Sequence, residues 1–339
     1  LTEFFLDMAW DINLSGCKSG SGVVFSHLGN WLNQTFGKKT GKELLPLMKD
    51  FYLLSHIRKP EFMGNTRTYD KRHEQIADLP WSTEEINERL EQFKKLSDRV
   101  EKLYATVPSN RKDAYFEMIQ YPVQASNEMN KKMLYAQFAR HTPSDSASLW
   151  KKSDAAYDSI VSLTRRFNSL LDGKWNHIIS TAPRGLIVFD KVKRTASSTA
   201  LVSSPAPLQL WNGTEHDAVT GQHTVIDGLG HSGKAIYLGK GGTVEYEYRN
   251  FRKDSLTVEV CLVPTHAVEG GKLRFAVSTD DREPQVFDCE TAEYSEEWKV
   301  NILRAQAVKT ARFPSGSRKG RIKITALDEG VVIDQIRLR

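Results

Sequence analysis

The spacing of apolar residues changes once along the chain, and that change limits the folds available to it. Over residues 41–171 apolar side chains recur every three or four positions, as on one face of a helix. From Val244 onward they alternate: Val244, Tyr246 and Tyr248 point one way, Glu245, Glu247 and Arg249 the other, as in a half-buried strand. A 339-residue chain with two such regimes is expected to build more than one core.

Within the helical stretch, Leu44, Leu45, Met48, Phe51, Tyr52 and Ile57 form one amphipathic segment that must end before Pro60. Ser82-Thr83-Glu84-Glu85 reads as a capping box opening a helix with the stripe Ile86, Leu90, Phe93, Leu96, Val100 and Leu103. A third helix, capped by Ser109 or Asn110, runs through Tyr115, Met118, Ile119, Val123, Met129 and Met133, and Pro122 should kink it. The methionines read as core filler. A fourth carries Trp150, Tyr157, Ile160, Phe167 and Leu171 and stops near Gly173. Residues 38–180 are therefore expected to be an all-α helical bundle.

Residues 181–214, with Pro183, Pro205, Pro207 and many small side chains, read as a linker with one strand at 186–189. Residues 215–339 read as an all-β antiparallel sandwich, with further strands at 256–263, 273–277, 298–303, 322–327 and 331–338. At the other end, Phe4-Phe5-Leu6-Asp7-Met8-Ala9-Trp10 resembles a buried strand finishing at a functional face, followed by a glycine-rich turn and a helix from Phe25 to Phe36. One strand and one helix bury no core, so residues 1–37 read as the end of another domain. The absence of an initiating Met and of a leader pattern at Leu1 points to a piece cut from a longer chain.

Composition excludes several function classes. The net charge of +5 comes from basic residues mixed with acidic ones, which argues against nucleic acid as a partner. No apolar run approaches the roughly 20 residues of a membrane span. His56, His73 and His141 lie singly without metal-ligand spacing, so no metal is expected. The glycine clusters at 228–230 and 239–242 lack the strand-to-helix context of a phosphate loop, and no cofactor is expected. Cys261 and Cys289 either pair across adjacent strands or stay as buried thiols.

A set of segments, in order along nearly the whole chain, resembles the C-terminal half of glycoside hydrolase family 115, the xylan α-glucuronidases. These are Glu3-Phe4-Phe5-Leu6-Asp7-Met8-Ala9-Trp10, Lys59-Pro60-Glu61-Phe62-Met63-Gly64, Tyr121-Pro122-Val123-Gln124-Ala125-Ser126 and Gly173-Lys174-Trp175-Asn176-His177. To them are added Phe275-Ala276-Val277-Ser278-Thr279-Asp280-Asp281 with Pro284-Gln285, and Asp328-Glu329-Gly330-Val331-Val332-Ile333-Asp334. The resemblance implies an enzyme removing glucuronic acid or its 4-O-methyl form from xylan by inversion, acting outside the cytoplasm on a plant cell-wall polysaccharide. It implies a (β/α)8 barrel carrying the active site, a helical domain and a C-terminal β-sandwich. On that map residues 1–37 are the last strand and helix of a truncated barrel, and the catalytic acid and base lie upstream.

Strand ends face a barrel's active site, which places Asp7, Trp10 and Asp11 as substrate-contact candidates; a structural hydrogen bond or loop cap is the alternative for Asp7. Arg67 could grip a glucuronate carboxylate and Tyr69 stack on a sugar, or their loop is only a connector. The chain departs from the family at Asn65-Thr66-Arg67, where the family carries a Trp-containing turn, which leaves the substrate open. His177 is either catalytic or structural beside Trp175. Tyr246, Tyr248 and Trp298 either form a sugar platform or pack between sheets, and Asp280 with Asp281 reads as a turn. Three functions compete: inactive scaffold of an α-glucuronidase, carbohydrate-binding module on a helical stalk, and dimerisation domain with its contact around Tyr115 and Tyr121.

Overall fold

The computed structural model describes residues 2–11, 20–64, 76–197, 200–204, 206–249, 251, 254–269, 273–280, 282–314 and 318–339. They form two compact units, residues 1–204 and 205–339.

The first unit is helical, with α1 (Thr2–Trp10), α2 (Gly20–Phe36), α3 (Lys38–Ile57), α4 (Thr83–Tyr104), α5 (Lys112–Tyr115), α6 (Tyr121–His141) and α7 (Ser146–Asn168). Gly37 joins α2 to α3 at φ 88°, a backbone that favours glycine. Helix α3 stops at Arg58, which is extended ahead of Lys59 and Pro60. The capping box forms as expected. The Ser82 hydroxyl accepts from the Glu85 amide at 3.2 Å, and the Ser82 amide donates to the Glu85 carboxylate at 2.8 Å.

Leu32, Phe36, Leu44, Leu47, Phe93, Leu96 and Val100 fill one core; Trp81, Ile86, Met129, Met133, Leu134 and Trp150 fill another. Arg89 sits between them with its guanidinium donating to the Asn130 side-chain Oδ1 at 2.6 Å and to the Leu54 and Arg58 backbone carbonyls, both at 3.2 Å. Its charge lies over the Trp81 and Phe93 rings, which offset part of the cost of burying it beside Arg58.

Pro122 shapes the backbone before it. Lacking an N–H, it enters α6 at the first turn, and residues Phe116–Gln120 just ahead form a wider π-helical turn.

Five expectations are corrected in this unit. The run at 3–10 is helix α1 and not a strand. A strand satisfies its amides only through a neighbour, and among the described residues of this unit there is no strand, so the segment closes its own hydrogen bonds. Residues 186–189 form a 3-10 turn, Ile187–Phe189, instead of a strand. The stretch to residue 204 is no free linker: Val188 and Val192 are buried in the second core, and the Lys132 ammonium donates to the Val188 and Asp190 carbonyls at 2.7 and 2.8 Å. Glu84 fastens its end, accepting from the Ser203 hydroxyl and the Ser204 amide, which hold its carboxyl at about 2. Tyr115 is no surface contact: it is fully buried and its hydroxyl donates to the Val100 carbonyl at 2.8 Å, while Tyr121 is half-buried against Phe167. Of the methionines, Met129 and Met133 are core, but Met118 is exposed.

The second unit is two antiparallel sheets. Strands β1 (Gln209–Asn212), β3 (His223–Asp227), β4 (Lys234–Leu238), β6 (Ser255–Leu262), β9 (Ala307–Pro314) and β11 (Val331–Leu338) form one, in the order β3-β4-β11-β6-β9. β2 (Ala218–Thr220), β5 (Thr243–Tyr248), β7 (Leu273–Thr279), β8 (Gln285–Cys289) and β10 (Gly320–Ala326) form the other, in the order β2-β5-β10-β7-β8. Buried faces of both meet in one core that includes Ile236, Val258, Val260, Ile333 and Ile336 with Val244, Tyr246, Phe275, Val277 and Ile324. Tyr246 and Tyr248 belong to that core, as the alternation on β5 requires, and not to a surface platform.

β11 is central. β4 pairs with its first residues and β1 with its last along one edge, while β6 takes the other edge with a bulge between Ile333 and Gln335. The bulge carries Asp334, wholly buried, which accepts from the His231 amide at 2.8 Å, the His231 ring at 2.7 Å and the Gln306 side-chain amide at 2.7 Å. Cys261 and Cys289 are both free and buried, and burial raises their thiols to about 12 and about 11.

The expected strand at 298–303 is a helix, Glu296–Arg304. Ser295 caps it by accepting from the Trp298 amide at 3.2 Å, and Glu296 and Glu297 supply negative charge in the first turn.

Candidate functional site

The end of α1 brings together three expected site residues. Trp10 and Asp11 lie three and four residues after Asp7, so each neighbours it on the same side of the helix. The Asp11 amide donates to the Asp7 carbonyl at 3.0 Å, continuing the helix by one bond. The Asp7 carboxylate meets the His27 ring of α2 at 2.8 Å, and Phe4 packs edge-on to the same imidazole, with centroids 5.1 Å apart. Trp10 is 93% exposed, so its whole ring is open to a ligand or covering surface. Arg67 and Tyr69 lie outside the described residues.

A second concentration of polar groups lies at the end of α7. A shallow cleft of about 830 Å³ is lined by Thr164, Arg165, Asn168, Asp172, Asn176 and His177, among others. Its shape comes from backbone in the left-handed region at Leu171, Asp172 and Gly173, and again at His177. For Leu171 that conformation is strained, and Leu171 is exposed with no burial to offset it. Asn168 closes the loop: its amide donates to the Ile179 carbonyl at 2.8 Å and its side-chain oxygen accepts from the Ile179 N–H at 3.4 Å. Trp175 packs toward Phe116, Phe167 and Leu170, all within the helical unit, with its indole N–H buried and unpartnered. The cleft presents one guanidinium, one carboxylate, one imidazole and several amides and hydroxyls. Such a set suits hydrogen bonding to a polyhydroxylated ligand; it offers no two carboxylates for acid and base roles.

Sequence reasoning named His177 alone and missed Arg165, Asn168, Asp172 and Asn176. The available signal was Asp172-Gly173, a dipeptide that favours left-handed turns. A smaller hollow of about 550 Å³ between α3 and α4 includes Asp50, whose carboxyl is pushed up by burial against the pull of Arg99. Among the described residues no three His, Cys, Asp or Glu side chains gather to hold a metal ion, and no helix is long and apolar enough to cross a membrane.

Residues 214–339 match the model of the glycosyl hydrolase family 115 C-terminal domain. Among solved structures, a family GH115 4-O-methyl-alpha-glucuronidase with specificity for decorated arabinogalactans aligns over 99% of this chain at 44% identity, with a TM-score of 0.84. The chain spans 43% of that protein's length. Two smaller likenesses involve about two fifths of the chain. One is the C-terminal family 6 carbohydrate-binding module of a laminarinase from Zobellia galactanivorans, at 10% identity and TM-score 0.30, covering 38% of this chain and 97% of the module. The other is a family 35 module from Clostridium thermocellum, also at 10% and 0.30, covering 39% and 98%. No curated protein matches. With the fold and an extended 44% identity in agreement, the chain belongs to glycoside hydrolase family 115.

Proposed function

We propose that this chain is the C-terminal portion of an inverting α-glucuronidase that removes glucuronic acid or its 4-O-methyl form from a decorated plant polysaccharide, outside the cytoplasm. The observation that carries the reading is the 44% identity, over 99% of the chain, to a 4-O-methyl-alpha-glucuronidase. The chain's own part is scaffold and accessory. Inversion needs a carboxylic acid and a carboxylate roughly 6.5 to 9.5 Å apart, while the α7 cleft presents a single carboxylate, Asp172, and the chain spans 43% of the relative's length. The acid and base are therefore assigned to residues outside this chain.

Asp7, Trp10 and Asp11 are proposed to contact substrate at the rim of that active site. Supporting this, Trp10 offers an exposed ring for stacking on a sugar, and Asp7 is hydrogen-bonded to His27. Arg67 and Tyr69 are proposed as partners for the uronate carboxylate and sugar ring, on their side-chain chemistry alone. Glucuronic acid release from aldouronic oligosaccharides tests the reading. The longer enzyme should release it and the 339-residue chain should not. Release by this chain alone would overturn the scaffold assignment, and no release by the longer enzyme would overturn the substrate assignment.

A further inference from the structure

The second unit carries an aromatic cluster that the proposed hydrolysis does not use. Trp298, half-buried in the helix Glu296–Arg304, has the Tyr294 ring 5.9 Å away, tilted by 54°, and the His266 ring 6.5 Å away, tilted by 39°. Both flanking rings are exposed, Tyr294 at 64%. A cluster of three tilted rings, two of them exposed, is a poor surface for water and a good one for a partner with apolar C–H faces.

The backbone beneath is built to present them. Tyr294 is left-handed at φ 69°, a conformation that disfavours a bulky side chain and holds this one outward. The next residue is the Ser295 cap, which fixes Trp298 through its amide. Upstream, the Ala292 amide donates to the Glu290 carboxylate at 2.7 Å, and the Ser295 amide to the Ala292 carbonyl at 3.2 Å. Strain at one exposed aromatic, braced on both sides, is the arrangement expected where a ring has to be displayed.

The charge around the rings narrows the ligand. Glu269, Glu293 and Glu296 are exposed near them in the chain, while Lys299 is bound to Glu296 and Lys309 to Glu297. Both of these cations are already paired, which disfavours a uronate and leaves hydroxyl donors as the ligand's natural contribution.

We propose that Tyr294, Trp298 and His266 form a binding site for a neutral pyranose chain, the undecorated backbone of a polysaccharide whose uronate is removed elsewhere. The choice of carbohydrate rests on the family 115 reading; the choice of a neutral chain rests on the pairing of Lys299 and Lys309 with glutamates. Stacking contributes affinity through Tyr294 and Trp298, and the neighbouring carboxylates accept from sugar hydroxyls.

Affinity electrophoresis of the 339-residue chain through gels containing uronate-free xylan, galactan or glucuronate-rich polymer tests the site. A neutral polymer is expected to retard the chain, the polymer that does so naming the backbone, with little added by uronate. Tyr294→Gly separates binding from folding. It relieves the left-handed strain, so the melting temperature should hold or rise, while affinity falls roughly tenfold, the loss typical of removing an aromatic anchor. Unchanged mobility in every neutral polymer, equal retardation of Tyr294→Gly, or retardation by the uronate polymer alone overturns the proposal. Capture of a protein segment through Tyr294 in place of any sugar would do so too. Glucuronic acid release by the longer enzyme bearing Tyr294→Gly, measured on short oligosaccharides, should stay at the wild-type level. A loss of retardation therefore speaks only to this site, and a loss of release only to the enzyme assignment.

Discussion

Lys132 gives the sharpest thermodynamic test of the helical unit. It is wholly buried on α6, its ammonium held by the Val188 and Asp190 carbonyls. Burial lowers its pKa from 10.5 to about 7, and the nearby Asp190 opposes only part of that shift. In the unfolded chain the amine keeps its ordinary value. From pH 7 to 10.5 the unfolded chain therefore holds a proton that the folded one has released, and stability must rise with pH across that window.

One proton gives a limiting slope of about 1.36 kcal/mol per pH unit. Lys132 is half-protonated near the lower end, so the gain between about pH 7 and 8.5 comes to about 1.5 kcal/mol. Higher pH confuses the reading, because Cys261 and Cys289 have raised thiols and their unfolded counterparts ionise first, which lowers stability. Urea titration followed by helical circular dichroism, which reports mainly on the first unit, should show the gain in the wild type. Lys132→Met keeps the stem and removes the titrating group, so its stability should be flat over the same range. A flat wild type, or the same slope in Lys132→Met, would refute the reasoning.

Two further substitutions test local architecture. Ser82→Ala removes one half of the capping box and should cost about 1 kcal/mol in the same titration, with Ser82→Asp recovering most of it. Gly213→Ala would set a methyl 2.2 Å from the Ile333 carbonyl oxygen, beside the Gly213 amide bond to Asp334; unit two should lose about 2 to 3 kcal/mol, read from Trp211 fluorescence, and a change under about 0.5 kcal/mol would show that β11 gives way easily.

How much of this was legible in the sequence depends on whether the signal was local. The Ser82 cap, the stop before Pro60 and the alternation on β5 are set by neighbours within a few residues, and each appears in the structure where the pattern placed it. In the run at 3–10 the apolar residues are nearly continuous and imitate a buried strand, and the overlooked helical signal was the four-residue spacing of Glu3, Asp7 and Asp11. At 298–303 the alternating Trp298, Val300 and Ile302 imitate a strand, and the overlooked signal was Ser295 followed by two glutamates. The α7 cleft depends on left-handed residues at Leu171 and His177, positions where side-chain type gives no warning. Its residues became a site only through the turn that gathers them.

The place of β11 has a consequence for how the second unit comes into being. Its partners β1, β4 and β6 are all made earlier, yet each leaves an edge unpaired until residues 331–338 arrive. During synthesis the apolar faces of Val258, Val260 and Ile236 must wait, exposed, for the last strand to emerge from the ribosome, a window that invites capture by chaperones. Pairing β1 with β11 then joins the first strand of the unit to its last, the slowest kind of contact for a chain to find. The helical unit upstream has no such delay, and it can be complete while the sheets are still unmade.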